Sequence, residues 1–235
     1  MSIRVNKRPL KILVTAGPTR EPIDPVRYLG NRSSGRMGYA LARAARARGH
    51  AVRLISGPVA LPPPSGVRTI PVLTAADMLA AVRAHLRWCD VLIMAAAVAD
   101  WRPVRVSPVK LKKAACPRRL LLEPTPDILQ TIRPLKGQRL FVGFAAETGD
   151  PAAEGWRKLR AKGLDLLAAN DVSRPDAGFE VDTNEVLLLD AAGGTTHLPL
   201  ASKRRIAGAI IRRVERRKRA GEARPFPNRR NRPRS

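Results

Sequence analysis

Short apolar runs recur along this chain, separated by stretches in which apolar residues return every three or four positions. Residues 11–16 (KILVTA) form the first run, β-branched and stopped by Gly17-Pro18, as expected of a strand covered on both faces of a sheet. Over 35–48 the spacing turns helical, with Met37, Leu41, Ala44 and Ala45 on one face, arginines on the other, and Gly49 at the C-terminal end. The run 51–56 (AVRLIS) then completes a βαβ unit. A third strand is predicted at 67–72, a helix capped by Thr74 at 75–88, and a strongly apolar strand at 90–97 (DVLIMAAA). Further on, 126–132 reads as a short helix with Thr125 as its N-cap. Strands follow at 139–147 and 165–170, with a helix at 151–163 between them. Residues 185–198 read as a hairpin turning on Gly193-Gly194, and Ser202 caps a last helix. Two segments carry no period, 18–34 and 100–117; the second, with three prolines, is expected to be a long mobile flap.

Strands alternating with helices predict an α/β fold, a doubly wound, mostly parallel sheet closed by a C-terminal hairpin and helix. Ligands of such sheets lie beyond the carboxyl ends of the strands. Functional residues are therefore expected just after Ala16, Ala97, Glu147 and Asn170. The chain divides into an N-terminal extension (1–10), one catalytic-size domain (11–215) and a basic tail (216–235) expected to be disordered.

Charge narrows the range of ligands. Lys and Arg number 44 against 19 Asp and Glu, a net charge of +25, which draws phosphorylated small molecules, nucleic acid or acidic lipid. Residues 212–235 alone hold eleven Lys or Arg against two acids. Cys89 and Cys116 are the only cysteines and have no metal-ligand spacing, which fits a reducing, cytoplasmic setting. No apolar run approaches the length of a membrane span, and the first residues do not read as a signal peptide.

The unusual sequence falls after the strands. TAGPTREPIDPVR (15–27) and LGNRSSGRMG (29–38) place Gly17 at a strand end and Ser33, Ser34 and Gly35 at a helix start, where free amides suit an anion or an empty cap equally well. G-x-G-x-x-G is absent, the second strand ends without an acid for a ribose, and there is no Walker A run. AAAVADW (95–101) puts small residues and Asp100 where a planar base could approach; a plain helix contact with a solvated Asp fits as well. Lys110, Lys112 and Lys113 sit on the Pro-bounded loop, and Lys158 and Lys162 share one helical face. Each of these groups is either a phosphate grip or an ordinary solvated surface.

Seven stretches in register, TAGPTREPIDPVR, N-x-S-S-G-x-M-G (31–38), AAVAD (96–100), KLKK (110–113), PDI (126–128), VGFAAET (142–148) and ANDVS (169–173), resemble phosphopantothenate–cysteine ligase. That family is the synthetase half of the bifunctional flavoprotein of bacterial coenzyme A synthesis. The resemblance implies a Rossmann-like fold, a homodimer, Mg²⁺ and a CTP-dependent ligation of 4′-phosphopantothenate to L-cysteine through an acyl-cytidylate. It places the nucleotide site on Met94, Ala95, Ala96, Asp100, Lys110, Thr125, Pro126, Asp127, Ile128, Phe144, Lys158 and Lys162. The acyl substrate falls to Arg27 and Asn31, with Asn31 and Lys110 as the catalytic pair. Thr125 stands where the family usually has Asn, and Gly30 and Arg32 where serine and histidine are commoner. The flavin-dependent decarboxylase half has no counterpart, so no flavin and a separate decarboxylase are expected. Rival readings are a nucleic-acid-binding protein, which scarce aromatics (4%) disfavour, and an NAD(P)-dependent Rossmann enzyme, which the missing fingerprint disfavours.

Overall fold

The computed structural model describes residues 8–112, 119–147, 151–171 and 181–222. In chain order the elements are β1 (Lys11–Ala16), β2 (Arg20–Pro22), β3 (Tyr28–Gly30), α1 (Arg36–Ala47), β4 (Ala51–Ser56), β5 (Arg68–Pro71), α2 (Ala75–Leu86) and β6 (Val91–Met94). Then come β7 (Trp101–Pro103), β8 (Leu122–Pro124), α3 (Ile128–Ile132), β9 (Leu140–Glu147), α4 (Pro151–Ala161), β10 (Leu166–Asp171), β11 (Thr183–Asp190), β12 (Thr195–Ser202) and α5 (Lys203–Glu222).

One eight-stranded sheet runs β12-β11-β10-β9-β6-β1-β4-β5. Its six strands from β10 to β5 are parallel, and β11 and β12 close it as an antiparallel edge. Counted among the parallel strands alone, the order is 3-2-1-4-5-6, so the winding reverses between β1 and β6, the crevice where such sheets bind ligands. The expected doubly wound α/β architecture is therefore present.

Strand alternation divides the core in two. Ile12, Val14 and Ala16 face one layer with α1 and α5, while Leu13 faces the other with α2, α3 and α4. Helix α5 joins through Ile206, Ala207, Ile210, Ile211 and Val214, one face at helical spacing. Gly38 sets how closely α1 seats on β1: a Cβ there would lie 2.4 Å from the Ala16 Cβ and 2.9 Å from the Thr15 carbonyl oxygen. Gly17 and Gly35 both adopt φ +75°, at the strand end and the helix entry. Gly17 and Gly38 thus fill the tight-turn and helix-packing roles that glycines play in a dinucleotide fingerprint, with residues 18–34 inserted between the turn and the helix.

Five sequence expectations change. The 18–34 loop contains the β2–β3 hairpin, and the 100–117 loop begins with β7, which pairs with β8. The strand predicted over 90–97 ends at Met94. Asp127, not Thr125, caps α3, accepting from the Gln130 amide at 3.0 Å, because Thr125 spends its hydroxyl on the Ala99 carbonyl at 2.5 Å. Helix α5 continues through Glu222, past the expected tail boundary at 216. Arg213 and Arg217 anchor it to buried Asp190 at 2.9 and 3.5 Å, and Lys218 donates to the Gln138 carbonyl at 2.9 Å. The remainder of the tail, Lys113 and Cys116 lie outside the described residues. No helix among the described residues is long and apolar enough to cross a membrane.

Candidate active site

A cavity of about 490 Å³ opens beyond the carboxyl ends of β1, β6, β9 and β10, at the reversal of the winding. Its floor follows from where β6 stops. Past Met94 the backbone leaves the sheet, and Thr15 holds it by accepting from the Ala96 amide at 3.1 Å. Thr19 accepts from Ala99 at 2.9 Å, and Ala97 donates to the Gly17 carbonyl at 2.9 Å. Ala95 and Ala96 therefore present a rigid, nearly side-chain-free wall, which a flat ring can approach.

Around that floor stand Asp100, Thr125, Pro126, Asp127 and Ile128 on one side and Phe144 on another. The Phe144 ring gives a base an apolar surface to lie on. Lys158 and Lys162 complete this side from α4, but both meet carboxylates: Lys158 lies 2.5 Å from Glu147 and 3.6 Å from Glu154, and Lys162 lies 3.5 Å from Asp127. Glu154 is held down at about 2, chiefly by its hydrogen bond with Arg157.

Asn31 forms part of the rim. Its Nδ2 donates to the carbonyls of Ala97 and Val98, at 3.2 and 3.0 Å. Two carbonyl acceptors fix the amide orientation, so the atom left for a ligand is the oxygen, a hydrogen-bond acceptor. Just after it in the chain, Ser33, Ser34 and Gly35 bring the N-terminus of α1 to the wall, with no side-chain cap on the helix.

All but two of the expected site residues line this cavity; the exceptions are Arg27 and Lys110. Arg27 forks onto Asp24, with Nε and Nη2 at 2.9 and 2.5 Å from Oδ2. Its Nη2 also donates to the Leu111 carbonyl at 2.7 Å. The guanidinium, helped by the amides of Val26, Arg27 and Leu111, holds the Asp24 carboxyl well below the usual carboxylate range, against its burial. Lys110, next to Leu111, is exposed on the loop this pair anchors.

Sequence reasoning missed Arg36, Asn184 and Lys203, which also line the cavity. Asn184 left a readable trace: it shares the buried face of β11 with Val186 and Leu188, a polar residue in an apolar register. Lys203 left none, since a lysine after a Ser cap looks solvated.

Among the described residues no three His, Cys, Asp or Glu side chains gather as a metal cage. Mg²⁺ riding on a nucleotide's phosphates needs only one or two protein carboxylates. Asp127 is engaged by α3 and Lys162, which leaves Asp100 as the wall carboxylate suited to that duty. Cys89 is no candidate nucleophile: burial pushes its thiol up to about 11.

A family model described as DNA/pantothenate metabolism flavoprotein C-terminal domain matches residues 8–217. Among curated relatives, the chain is 45% identical over 206 residues to the coenzyme A biosynthesis bifunctional protein CoaBC of Escherichia coli K12, covering 86% of this chain and 50% of that protein. It is 46% identical over 204 residues to CoaBC of Bacillus subtilis strain 168, covering 86% and 50%. The chain therefore spans about half the length of these relatives. Among solved structures, the C-terminal domain of CoaBC is 42% identical, with a TM-score of 0.77, over 90% of this chain and 96% of that one. A Cab2 mutant in complex with phosphopantothenate-cysteine, 18% identical with a TM-score of 0.74 over 91% and 88%, shares the fold.

Proposed function

The chain belongs to the family of DNA/pantothenate metabolism flavoprotein C-terminal domains, and from that premise we propose that it is a phosphopantothenate–cysteine ligase. The carboxylate of 4′-phosphopantothenate attacks the α-phosphorus of CTP, and pyrophosphate leaves. The amine of L-cysteine then attacks the acyl carbon of the acyl-cytidylate, CMP leaves, and the amine gives up its proton as the amide forms. The observation that supports this most is the cavity at the winding reversal, whose wall gathers the family-like segments from five separate parts of the chain.

The chemistry needs positioning and charge rather than a nucleophilic side chain. Ala95 and Ala96 leave room for the cytosine, Phe144 lies against it, and Thr125, Pro126, Asp127 and Ile128 border the nucleotide. Lys158 and Lys162 give up Glu147 and Asp127 to bind the triphosphate. Asp100 would hold a Mg²⁺ bound with the nucleotide, an ion that would supply charge to shield the phosphates from the incoming carboxylate. Asn31 offers its oxygen to the cysteine amine and so aims the nitrogen at the acyl carbon. Lys110, carried on the anchored loop, stabilises charge developing on the α-phosphate.

The protein acts as a homodimer in this reading. The small sheets β2–β3 and β7–β8 adjoin and expose Tyr28 and Trp101, with Val104 and Leu121 just past the strand ends, the last 73% accessible, an apolar surface that a second copy would cover. The test of the activity is direct. Incubation with CTP, phosphopantothenate and cysteine should release CMP and pyrophosphate in equal amounts, and omission of cysteine should stop CMP but not pyrophosphate in the first turnover. No release of either sinks the reading.

A further inference from the structure

Two helices bring their N-termini to the same end of the cavity. Arg36 is the first residue of α1 and Lys203 the first of α5, and both line the wall. Asp182 sits between them, its carboxylate 3.2 Å from Arg36 and its carbonyl accepting from the Lys203 amide at 2.9 Å. Further along, Arg48 at the C-terminal cap of α1 meets Glu215 within α5 at 2.7 Å, so the helices run side by side in one direction and their positive dipole ends coincide.

The side chains at this end are built rather than solvated. Lys203 is 6% exposed and its Nζ donates to the Val181 carbonyl. Burial, then the charge of Arg36, push its pKa down; Asp182 opposes this, but that carboxylate is 86% exposed and well screened by water. Asn184 is 4% exposed. Its Oδ1 accepts from the Glu185 amide at 3.1 Å, which leaves Nδ2 on the cavity side as a donor without a partner among the described residues. That amide donor opens onto the cavity from a residue otherwise enclosed by the fold, beside the Lys203 ammonium, and is available to an acceptor arriving there.

We propose that Lys203 and Asn184, with Arg36 and the two helix N-termini, form a subsite for a phosphoryl group, a role that rests on the ligase reading above. Donors converging from α1, α5 and β11 match the several oxygens of a phosphate better than the single plane of a carboxylate. Two groups in the reaction carry that chemistry, the pyrophosphate end of the nucleotide and the 4′-phosphate of the acyl substrate.

The experiment uses Lys203→Met, which keeps the apolar stem, and Asn184→Asp, which keeps the acceptor for Glu185 but replaces the donor by a negative charge. Calorimetric titrations of the full chain would use inorganic pyrophosphate and 4′-phosphopantothenate, with cytidine and unphosphorylated pantothenate as phosphate-free controls. Both variants should weaken one phosphate ligand at least tenfold while leaving its control unchanged. Loss confined to pyrophosphate seats the nucleotide tail here, and loss confined to phosphopantothenate seats the acyl substrate's phosphate. Unchanged phosphate binding, or equal weakening of ligand and control, overturns the subsite; if Lys203→Met does not fold, Asn184→Asp decides alone. Turnover of the wild type separates the two ideas. A wild type that makes product while the variants bind phosphates normally sinks only the subsite, and a wild type that binds no phosphate and makes no product sinks both.

Discussion

Arg27 donates through Nη2 to the carbonyl of Leu111 at 2.7 Å, across 84 positions of sequence. The amide of the same Leu111 donates to Asp24, the partner of Arg27, at 3.2 Å, so one ion pair holds both backbone polar groups of a single residue. Lys110 is thereby tethered near the β2–β3 hairpin rather than left on a free loop.

That tether should resist acid. Asp24 is held below the usual carboxylate range in the folded chain, so its contribution is complete above the ordinary Asp pKa of about 4 and declines only as pH falls below that. Hydrogen exchange at the Leu111 amide should stay slow at pH 4.5, and Asp24→Asn should make it fast at every pH. Equal protection in variant and wild type would show that the ion pair does not hold the loop.

Glu215 is the second buried junction. It takes Arg48 in two hydrogen bonds of 2.7 Å and His50 at 3.0 Å, and His50 accepts the Leu10 amide on its other nitrogen at 3.2 Å. With Nδ1 as acceptor, Nε2 must carry the proton and donate to Glu215. Glu215→Ala strands this donor and the guanidinium, and should cost about 3 kcal/mol in urea unfolding. Glu215→Gln, which still accepts from His50, should cost less; the reverse ranking would exclude this account.

Gly38→Ala tests the seating of α1. The added methyl meets the Ala16 Cβ and the Thr15 carbonyl, so the helix start must lift from the cavity wall. A loss of about 1–3 kcal/mol is expected, together with weaker CTP binding. Retained affinity in a destabilised variant would separate packing from the nucleotide site.

Much of this site could be read in advance, for a physical reason: apolar runs fix the parallel strands, and parallel strands place ligands at their carboxyl ends. Met94, Ala95, Ala96, Phe144 and Ile128 fell on the cavity wall by that logic together with the family resemblance. The β2–β3 hairpin was not legible, because strands of three residues ending in Pro22 or Gly30 show no alternation. The shared work of Gly17 and Gly38 was hidden because residues 18–34 separate the strand-end turn from the helix start. The choice between Thr125 and Asp127 as cap depended on Ala99, a partner distant in sequence. The extent of α5 was not legible, because a basic composition masks good helix formers whose arginines find Asp190.

Lys158→Gln and Lys162→Gln should each raise the KM for CTP more than the KM for cysteine. Both lysines face carboxylates, so the phosphates must displace those partners. Glu147→Gln should accordingly tighten CTP binding by releasing Lys158. If both lysine variants alter the two KM values equally, neither acts on the nucleotide.

The two half-reactions should separate between Lys110 and Asn31. Negative charge builds on the α-phosphate as the carboxylate attacks, and an ammonium on an anchored but exposed loop can meet it there. Losing it should cost ~3 kcal/mol, more than a hundredfold in rate. Asn31 cannot serve that step by donation, because its Nδ2 is spent on Ala97 and Val98. What it can do is accept from the cysteine amine, which matters only once the acyl-cytidylate exists. Lys110→Gln should therefore abolish pyrophosphate release even without cysteine. Asn31→Asp should still release pyrophosphate, but it gives up the Nδ2 bonds that orient the group, and the acyl-cytidylate should accumulate and be detectable by mass spectrometry after a rapid quench. Asn31→Ala separates loss of the acceptor from altered charge, and should accumulate the same intermediate. An anhydride trapped by the Lys110 variant and by neither Asn31 variant would reverse the assignment and end this mechanism.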